Sequence, residues 1–306
     1  MTAEIRWHLS DKRESNMSQV CFVDYGKRLS CYVIIGSKVV VVDPGMAFCA
    51  AQTIAEIAKL TGDRTVDAVL LTHSHYDHVG ALPAFRKKWP GITVYAGEHA
   101  QKILLRPGAR ATIRRLSEEA AAQNGTVIPE DYDENLLVVD EVIKDGEEIM
   151  IGDIRIQAVE TAGHTRDSFS YLIDGHTLMA SETIGLPEYR GTYTPQYLVS
   201  FRKAQESLEK TIALAPQRLC LPHAGIIEHP DEETWTWFRQ GLDRSAVLMM
   251  GLLRKKKTHE ERMEALAEKY WEPERPGGWP RGAFDINFAA MLGVIEKELM
   301  PPKAEE

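Results

Sequence analysis

The chain has 306 residues, 44% hydrophobic and 26% charged, which suits a soluble globular protein with room for one large core or two small ones. Its formal net charge of -9 weighs against a nucleic-acid backbone as the main partner, since such binders usually carry a basic face. The dense basic run Arg254-Lys255-Lys256-Lys257 reads as a solvated helix end. No apolar core precedes a small-residue cleavage site near the start, and no apolar stretch approaches the roughly 20 residues of a membrane span. The expected location is cytoplasmic, with no membrane partner. Cys21, Cys31, Cys49 and Cys220 are scattered, with no pair at ligand spacing, and read as reduced, mostly buried thiols.

In chain order, Val20–Asp24, Ser30–Ile35 and Lys38–Val42 are β-rich runs separated by Gly26 and Gly36, as in a strand meander. Asp43-Pro44-Gly45 breaks that pattern, and Cys49 to Leu60 has helical spacing of apolar residues. Thr65–Leu71 is a near-continuous apolar strand of the kind buried on both faces. The segment Thr72-His73-Ser74-His75-Tyr76-Asp77-His78-Val79-Gly80 follows it and leads into a helix ending near Trp89; Ile92–Ala96 is the next strand. Glu98 to Asn124 reads as helix, interrupted near Pro107-Gly108. Strands return at Leu137–Val139, Glu148–Ile151, Ile154–Glu160, Ser168–Ile173 and Thr177–Ala180, with Asp174-Gly175 as a hairpin signal between the last two. Tyr197 to Ala213 is helical, Arg218–Leu221 is a short strand, and the chain from Asp231 is mostly helix, with a final helix from about Asp285. The aromatic and Met content of that tail reads as helix packing. Strands alternating with helices indicate an α/β protein rather than a bundle.

The pattern His73-x-His75-x-Asp77-His78 carries the chemistry. Neutral imidazoles and a carboxylate are good ligands for zinc and other first-row divalent ions. The pattern follows an apolar strand and precedes a helix, where α/β folds place their sites. In an extended loop His73 and His75 point the same way and can share one metal, while Asp77 and His78 fall where the chain turns into the helix and can face a second. Histidines clustered merely for packing would repel once any protonates. Further candidates lie after later strands: His164, preceded by the turn-forming Gly163; Glu182; and His223. His8, His99, His176, His229 and His259 lack such a position and read as surface or structural residues.

The segment Thr72–His78 resembles the T-H-x-H-x-D-H motif of the metallo-β-lactamase superfamily, and Gly163-His164-Thr165-Arg166-Asp167-Ser168 is similar to its G-H-T-x-x-S element. Asp43 in Val42-Asp43-Pro44-Gly45 looks like the family's Asp-x-Gly turn, whose Asp supports the ligands from behind. The resemblance spans about residues 20 to 230. It implies an α/β fold, the αββα metallo-β-lactamase sandwich, as a catalytic domain over 1–230 with a helical insert at about 98–125 and a C-terminal helical cap over 231–306. It also implies two divalent metal ions: one on His73, His75 and His164, the other on Asp77, His78 and His223. Between the metals the family usually places an Asp. This chain has Glu182, whose extra methylene leaves iron and manganese as plausible as zinc. Pro222 replaces the more usual Gly before the last His.

Two divalent ions can bring the pKa of a bridging water toward about 7, giving a hydroxide that attacks a carbonyl, with Asp77 orienting it and shuttling its proton. The expected activity is therefore hydrolysis by a dinuclear metal-dependent enzyme. Within the superfamily the look is closest to thioester hydrolases of the glyoxalase II-like and quinolone signal-response thioesterase-like kinds, which implies a small acyl thioester as substrate. Trp235, Trp279 and Phe284 of the cap would then line an acyl or aryl pocket. Lactone or ester hydrolysis is the nearest alternative, followed by a phosphodiesterase, a diiron redox enzyme and a non-catalytic regulatory protein. A small-molecule partner is expected, and a homodimer is conceivable.

Overall fold

A computed structural model describes residues 18–24, 29–62, 64–188, 191–255, 257–271 and 281–301. His8, Gly26, Lys256 and the run Pro276–Pro280 with Trp279 lie outside them. The chain divides into two compact units. The first contains the chain up to Glu160, with Phe169–Ser181 and Pro216–His229; the second contains Thr161–Ser168, Glu182–Ala215 and the chain from Pro230 on.

The first unit holds two six-stranded sheets. One is built in chain order from β1 (Gln19–Phe22), β2 (Tyr32–Ile35), β3 (Val39–Val42), β4 (Ala68–Leu70), β5 (Thr93–Gly97) and β6 (Glu141–Ile143). Its first three strands meander antiparallel; β3 to β6 run parallel through helical crossovers. The crossovers supply α1 (Ala50–Thr61), the short α2 (Tyr76–Val79), α3 (Leu82–Lys88), α4 (Glu98–Leu104) and α5 (Pro107–Gln123). Every residue of β2, β3 and β4 is buried, as a strand covered on both faces requires. Alternate residues divide the work. Val33, Val41, Val69 and Val94 pack with Ile57, Leu82, Phe85 and Leu104 of the helices. Ile34, Val40, Val42 and Leu70 pack with Ile154, Ile156, Tyr171 and Met179 of the second sheet.

That second sheet comprises β7 (Glu148–Ile151), β8 (Ile154–Glu160), β9 (Phe169–Ile173), β10 (Thr177–Met179), β11 (Arg218–Leu221) and β12 (Gly225–Glu228), in the order β12-β11-β10-β9-β8-β7. All its pairs are antiparallel except β10 with β11.

One expectation is corrected here. Leu137–Val139 is not a strand. Leu137 and Val139 are buried against the first sheet in irregular chain, and pairing begins only at β6. Asp140 explains the delay: its backbone N–H donates to the Val94 carbonyl at 2.9 Å, and its carboxylate accepts from the Val94 N–H at 2.8 Å, so a side chain takes a ladder position. β12 was not anticipated, because its half-buried residues show no alternation.

The second unit is mainly helical: α6 (Phe201–Ala213), α7 (Glu232–Arg254), α8 (His259–Tyr270) and α9 (Arg281–Leu299), with a two-stranded ribbon of Leu186–Pro187 and Tyr193–Thr194. Ser200 caps α6, and capping boxes start α7 at Asp231 with Thr234 and α8 at Thr258 with Glu261. Trp235 and Phe284 take packing roles: Trp235 lies on Phe238, and Phe284 stacks on Phe288 at 4.1 Å. Arg254 and Lys255 end α7 exposed, as a solvated helix end does. Among the described residues no helix is long and apolar enough to cross a membrane.

Candidate metal centre

In the first unit, the chain leaving β4 is clamped before it reaches the histidines. The Leu71 carbonyl accepts from the Tyr171 hydroxyl at 2.6 Å, and the Thr72 carbonyl from the Phe169 N–H at 2.8 Å. His75 then precedes α2, and its carbonyl accepts from the N–H groups of His78 and Val79. Asp77 and His78 therefore sit in a helical turn, with His73 and His78 ring centroids 4.0 Å apart and those of His73 and His75 4.6 Å apart. The turn after β11 brings in His223, whose Nε2 lies 3.3 Å from His78 Nε2 and 3.6 Å from Asp77 Oδ2. Donor atoms of Asp77, His78 and His223 all lie within 4.8 Å of one another, as do those of His73 and His75.

Asp43 organises this group from behind. Its carboxylate accepts from the Thr72 N–H at 2.8 Å and the Thr72 hydroxyl at 2.6 Å, and it lies 2.8 Å from His78 Nδ1. The Asp43 turn can approach α2 because Gly80 has no side chain: a Cβ there would meet the Tyr76 carbonyl at 2.4 Å and the Ala47 nitrogen at 2.8 Å. The His223 turn is held by Tyr32, whose hydroxyl lies 2.7 Å from the Leu221 carbonyl and 2.8 Å from that of Gly225.

In the second unit, His164 and Glu182 come together. His164 Nδ1 lies 2.9 Å from the Gln196 carbonyl, and its Nε2 lies 2.9 Å from Glu182 Oε2. The Thr183 hydroxyl accepts from the His164 N–H at 3.1 Å and donates to the Thr161 carbonyl at 2.6 Å. Gly163, at φ 147°, has no room for a Cβ, which would stand 2.9 Å from the Ala204 backbone.

The hydrogen bonds test whether these donors suit a cation. A carbonyl only accepts, so Gln196 places the His164 proton on Nδ1, and Nε2 turns a lone pair toward the Glu182 carboxylate. Likewise His78 Nδ1 donates its hydrogen bond to Asp43, leaving its Nε2 facing His223 with Asp77 beyond. Acceptors converging on acceptors require positive charge among them, whether a proton or a metal ion. Imidazole nitrogens and carboxylate oxygens are the donors that zinc and its first-row neighbours take, so the residues fit a metal.

The model of the metallo-beta-lactamase superfamily matches residues 28–223, more than half of the chain. The chain belongs to that superfamily. A metallo-beta-lactamase fold-containing protein of Sulfurisphaera tokodaii is 24% identical over 220 residues, 67% of this chain and 76% of that one. A hydroxyacylglutathione hydrolase of Xanthomonas axonopodis is 22% identical over 202 residues, 65% of this chain and 64% of that one. Among solved structures, an archaeal metallo-beta-lactamase superfamily protein from Sulfolobus tokodaii has a TM-score of 0.58 at 20% identity, covering 89% of this chain and 94% of that one. A metallo-beta-lactamase family protein from Thermus thermophilus has a TM-score of 0.58 at 20% identity, covering 87% and 88%. The α/β fold with two facing sheets and C-terminal helices is the superfamily fold expected from the motifs.

Sequence reasoning named every donor in both groups. It missed Thr72, Tyr32 and Gln196. Thr72 sits inside the motif and was open to notice, whereas Gln196 acts through its backbone carbonyl, a role that any residue type can fill. His99, His176, His229 and His259 join no group of metal-ligand donors among the described residues.

Proposed function

We propose that the chain is a dinuclear metal-dependent hydrolase acting on a small acyl thioester. The observation that carries the reading is the convergence of Asp77, His78 and His223 within 4.8 Å, with Asp43 holding the proton of His78 away from that point. Carried over from the superfamily motif, His73, His75 and His164 would hold one ion and Asp77, His78 and His223 the other, with Glu182 shared between them. When bound, the ions would supply Lewis acidity toward the substrate carbonyl and bring the pKa of a water toward about 7. Asp77 would orient that water and take up its proton. Asp43, Thr72 and Gln196 would keep the imidazoles in the ligand tautomer.

The thioester class is supported by the acylglutathione named for the hydroxyacylglutathione hydrolase relatives, of which this chain covers 64% and 55%. Leaving-group chemistry agrees with it. A thiol has a pKa of about 8.5 and departs as thiolate without a dedicated proton donor, and the donor set is one of bases. The test is thiol release from acyl-CoA and small-thiol thioesters, with protein loaded separately with zinc, iron and manganese. Turnover that His164→Ala abolishes is the expected result. Silence across the panel with every metal would reject the thioester class and bring lactones forward. Activity unchanged in His164→Ala would reject the metal chemistry itself.

A further inference from the structure

The carbonyl of Gln196 fixes the ring of His164, so whatever holds Gln196 sets the direction of His164 Nε2. The polar side chains of its own segment do not hold it: the Gln196 amide and the Thr194 hydroxyl are buried without a hydrogen-bond partner. Tyr193 and Tyr197, on either side, do. The Tyr193 hydroxyl donates to the Ile184 carbonyl at 3.1 Å, which is in the short 3-10 turn Glu182–Ile184 that carries Glu182. Its ring fills space left by two glycines: a Cβ on Gly185 would stand 2.3 Å from it, and one on Gly241 2.2 Å. Trp237 closes against the same ring, centroid to centroid at 5.5 Å. The Tyr197 hydroxyl lies 3.0 Å from Ser245 Oγ.

Trp237, Gly241 and Ser245 recur every four residues and so share one face of α7. We infer that this face of α7 is a positioning device for His164 and Glu182, acting through Tyr193 and Tyr197. Tyr193 reaches both donors: Glu182 through the Ile184 carbonyl, and His164 through the short stretch of chain to Gln196. A side chain at position 241 would displace the base of the Tyr193 ring, while Gly185 lies against its hydroxyl end, where even a Cβ would stand 2.3 Å away. The inference rests on the metal-donor role proposed above.

The experiment uses the full chain with Gly241→Ala, Tyr193→Phe and Tyr197→Phe, and His164→Ala as reference. Zinc affinity is measured by chelator competition, and hydrogen exchange is followed in metal-free protein. Gly241→Ala should weaken zinc binding by roughly ten- to a hundredfold, the usual effect of disturbing a ligand's support. It should also speed exchange of the Gly185 N–H, which donates to the Glu182 carbonyl at 2.8 Å, while leaving β11 and β12 at the wild-type rate. Tyr193→Phe keeps the ring and loses only the hydroxyl; it should shift both readouts the same way, by less, and it decides the matter if Gly241→Ala does not fold. Wild-type affinity and exchange in these variants would overturn the inference. So would uniformly faster exchange over α6 to α9, which marks general loss of stability. If the wild type binds no zinc, or His164→Ala binds it normally, the metal reading has failed; exchange at Gly185 then still decides the positioning role.

Discussion

Replacing Asp43 by Ala tests how much one buried carboxylate contributes to the fold before any metal binds. Its side chain is buried and engages three groups within 2.8 Å: the Thr72 N–H, the Thr72 hydroxyl and His78 Nδ1. Taken singly, hydrogen bonds to a charged group are each worth about 1.5–3 kcal/mol. Their sum overstates the loss, because the carboxylate itself was taken out of water. Removing one partner of such a buried cluster typically costs about 3–5 kcal/mol, and that is the loss expected for metal-free Asp43→Ala in urea unfolding. The backbone supplies an internal control. Asp43 has φ 52°, where a non-glycine residue is strained by about 1–2 kcal/mol. Asp43→Gly removes the same carboxylate and the strain together, so it should unfold later than Asp43→Ala by an amount in that range. Metal-free protein must be used, since ligand binding to the native state would add stability of its own. A loss below about 1 kcal/mol in Asp43→Ala, or a Gly variant no more stable than the Ala variant, would refute the reasoning.

Three other expectations follow from the same geometry. Tyr32→Phe removes the one proton shared by the Leu221 and Gly225 carbonyls around His223, so it should lower stability by about 1–2 kcal/mol in denaturant titration and weaken zinc binding. Gly97→Ala would set a Cβ 2.3 Å from the Phe169 ring in the core between the sheets; a cost of about 1–3 kcal/mol, read by urea unfolding, is expected, and a neutral result would show that the ring has room to move. Burial pushes the Cys220 thiol up to about 12, and burial, with the nearby Asp43 charge second, raises Cys31 as well. At pH 8 neither forms thiolate, so a disulfide reagent should leave both unmodified in native protein and reach the half-buried Cys21 first, as peptide mass mapping would record.

Where function was legible in the sequence, it was because ligand chemistry restricts residue type. A first-row metal accepts few side chains, and His73, His75, Asp77 and His78 are too closely spaced to hide. The sheets were legible for a different reason: strands buried on both faces, such as Val39–Val42, are written as unbroken apolar runs. Edges carry no such signal. β6 begins with an exposed Glu141, and β12 is half-buried after Gly225, so neither announces itself by pattern. The supports of the donors are hidden by a further step, since Tyr32 and Tyr193 act on backbone carbonyls far away in sequence.

Backbone strain separates the residues that hold a site from those that merely turn the chain. Five non-glycine residues among those described have positive φ: Asp43, Asp174, Ala215, His223 and His229. At Ala215 glycine would do as well, since no functional group is used there; Asp174, in the β9–β10 hairpin, adds a carboxylate that accepts from the Arg155 and Ser18 N–H groups. Glycine would not do at Asp43 or His223. Each must carry a side chain to the same cluster: Asp43 to His78 Nδ1 at 2.8 Å, and His223 to His78 Nε2 at 3.3 Å. The turns at both places demand a left-handed residue, and the cluster demands a functional group. Only the second demand is met without strain, so the stability lost there must be supplied by neighbours such as Thr72 and Tyr32. The same conflict accounts for the two supports being close-packed and hydrogen-bonded at full strength: a looser frame would let Asp43 or His223 relax toward an ordinary turn and take its ligand group, or its hold on one, out of the cluster.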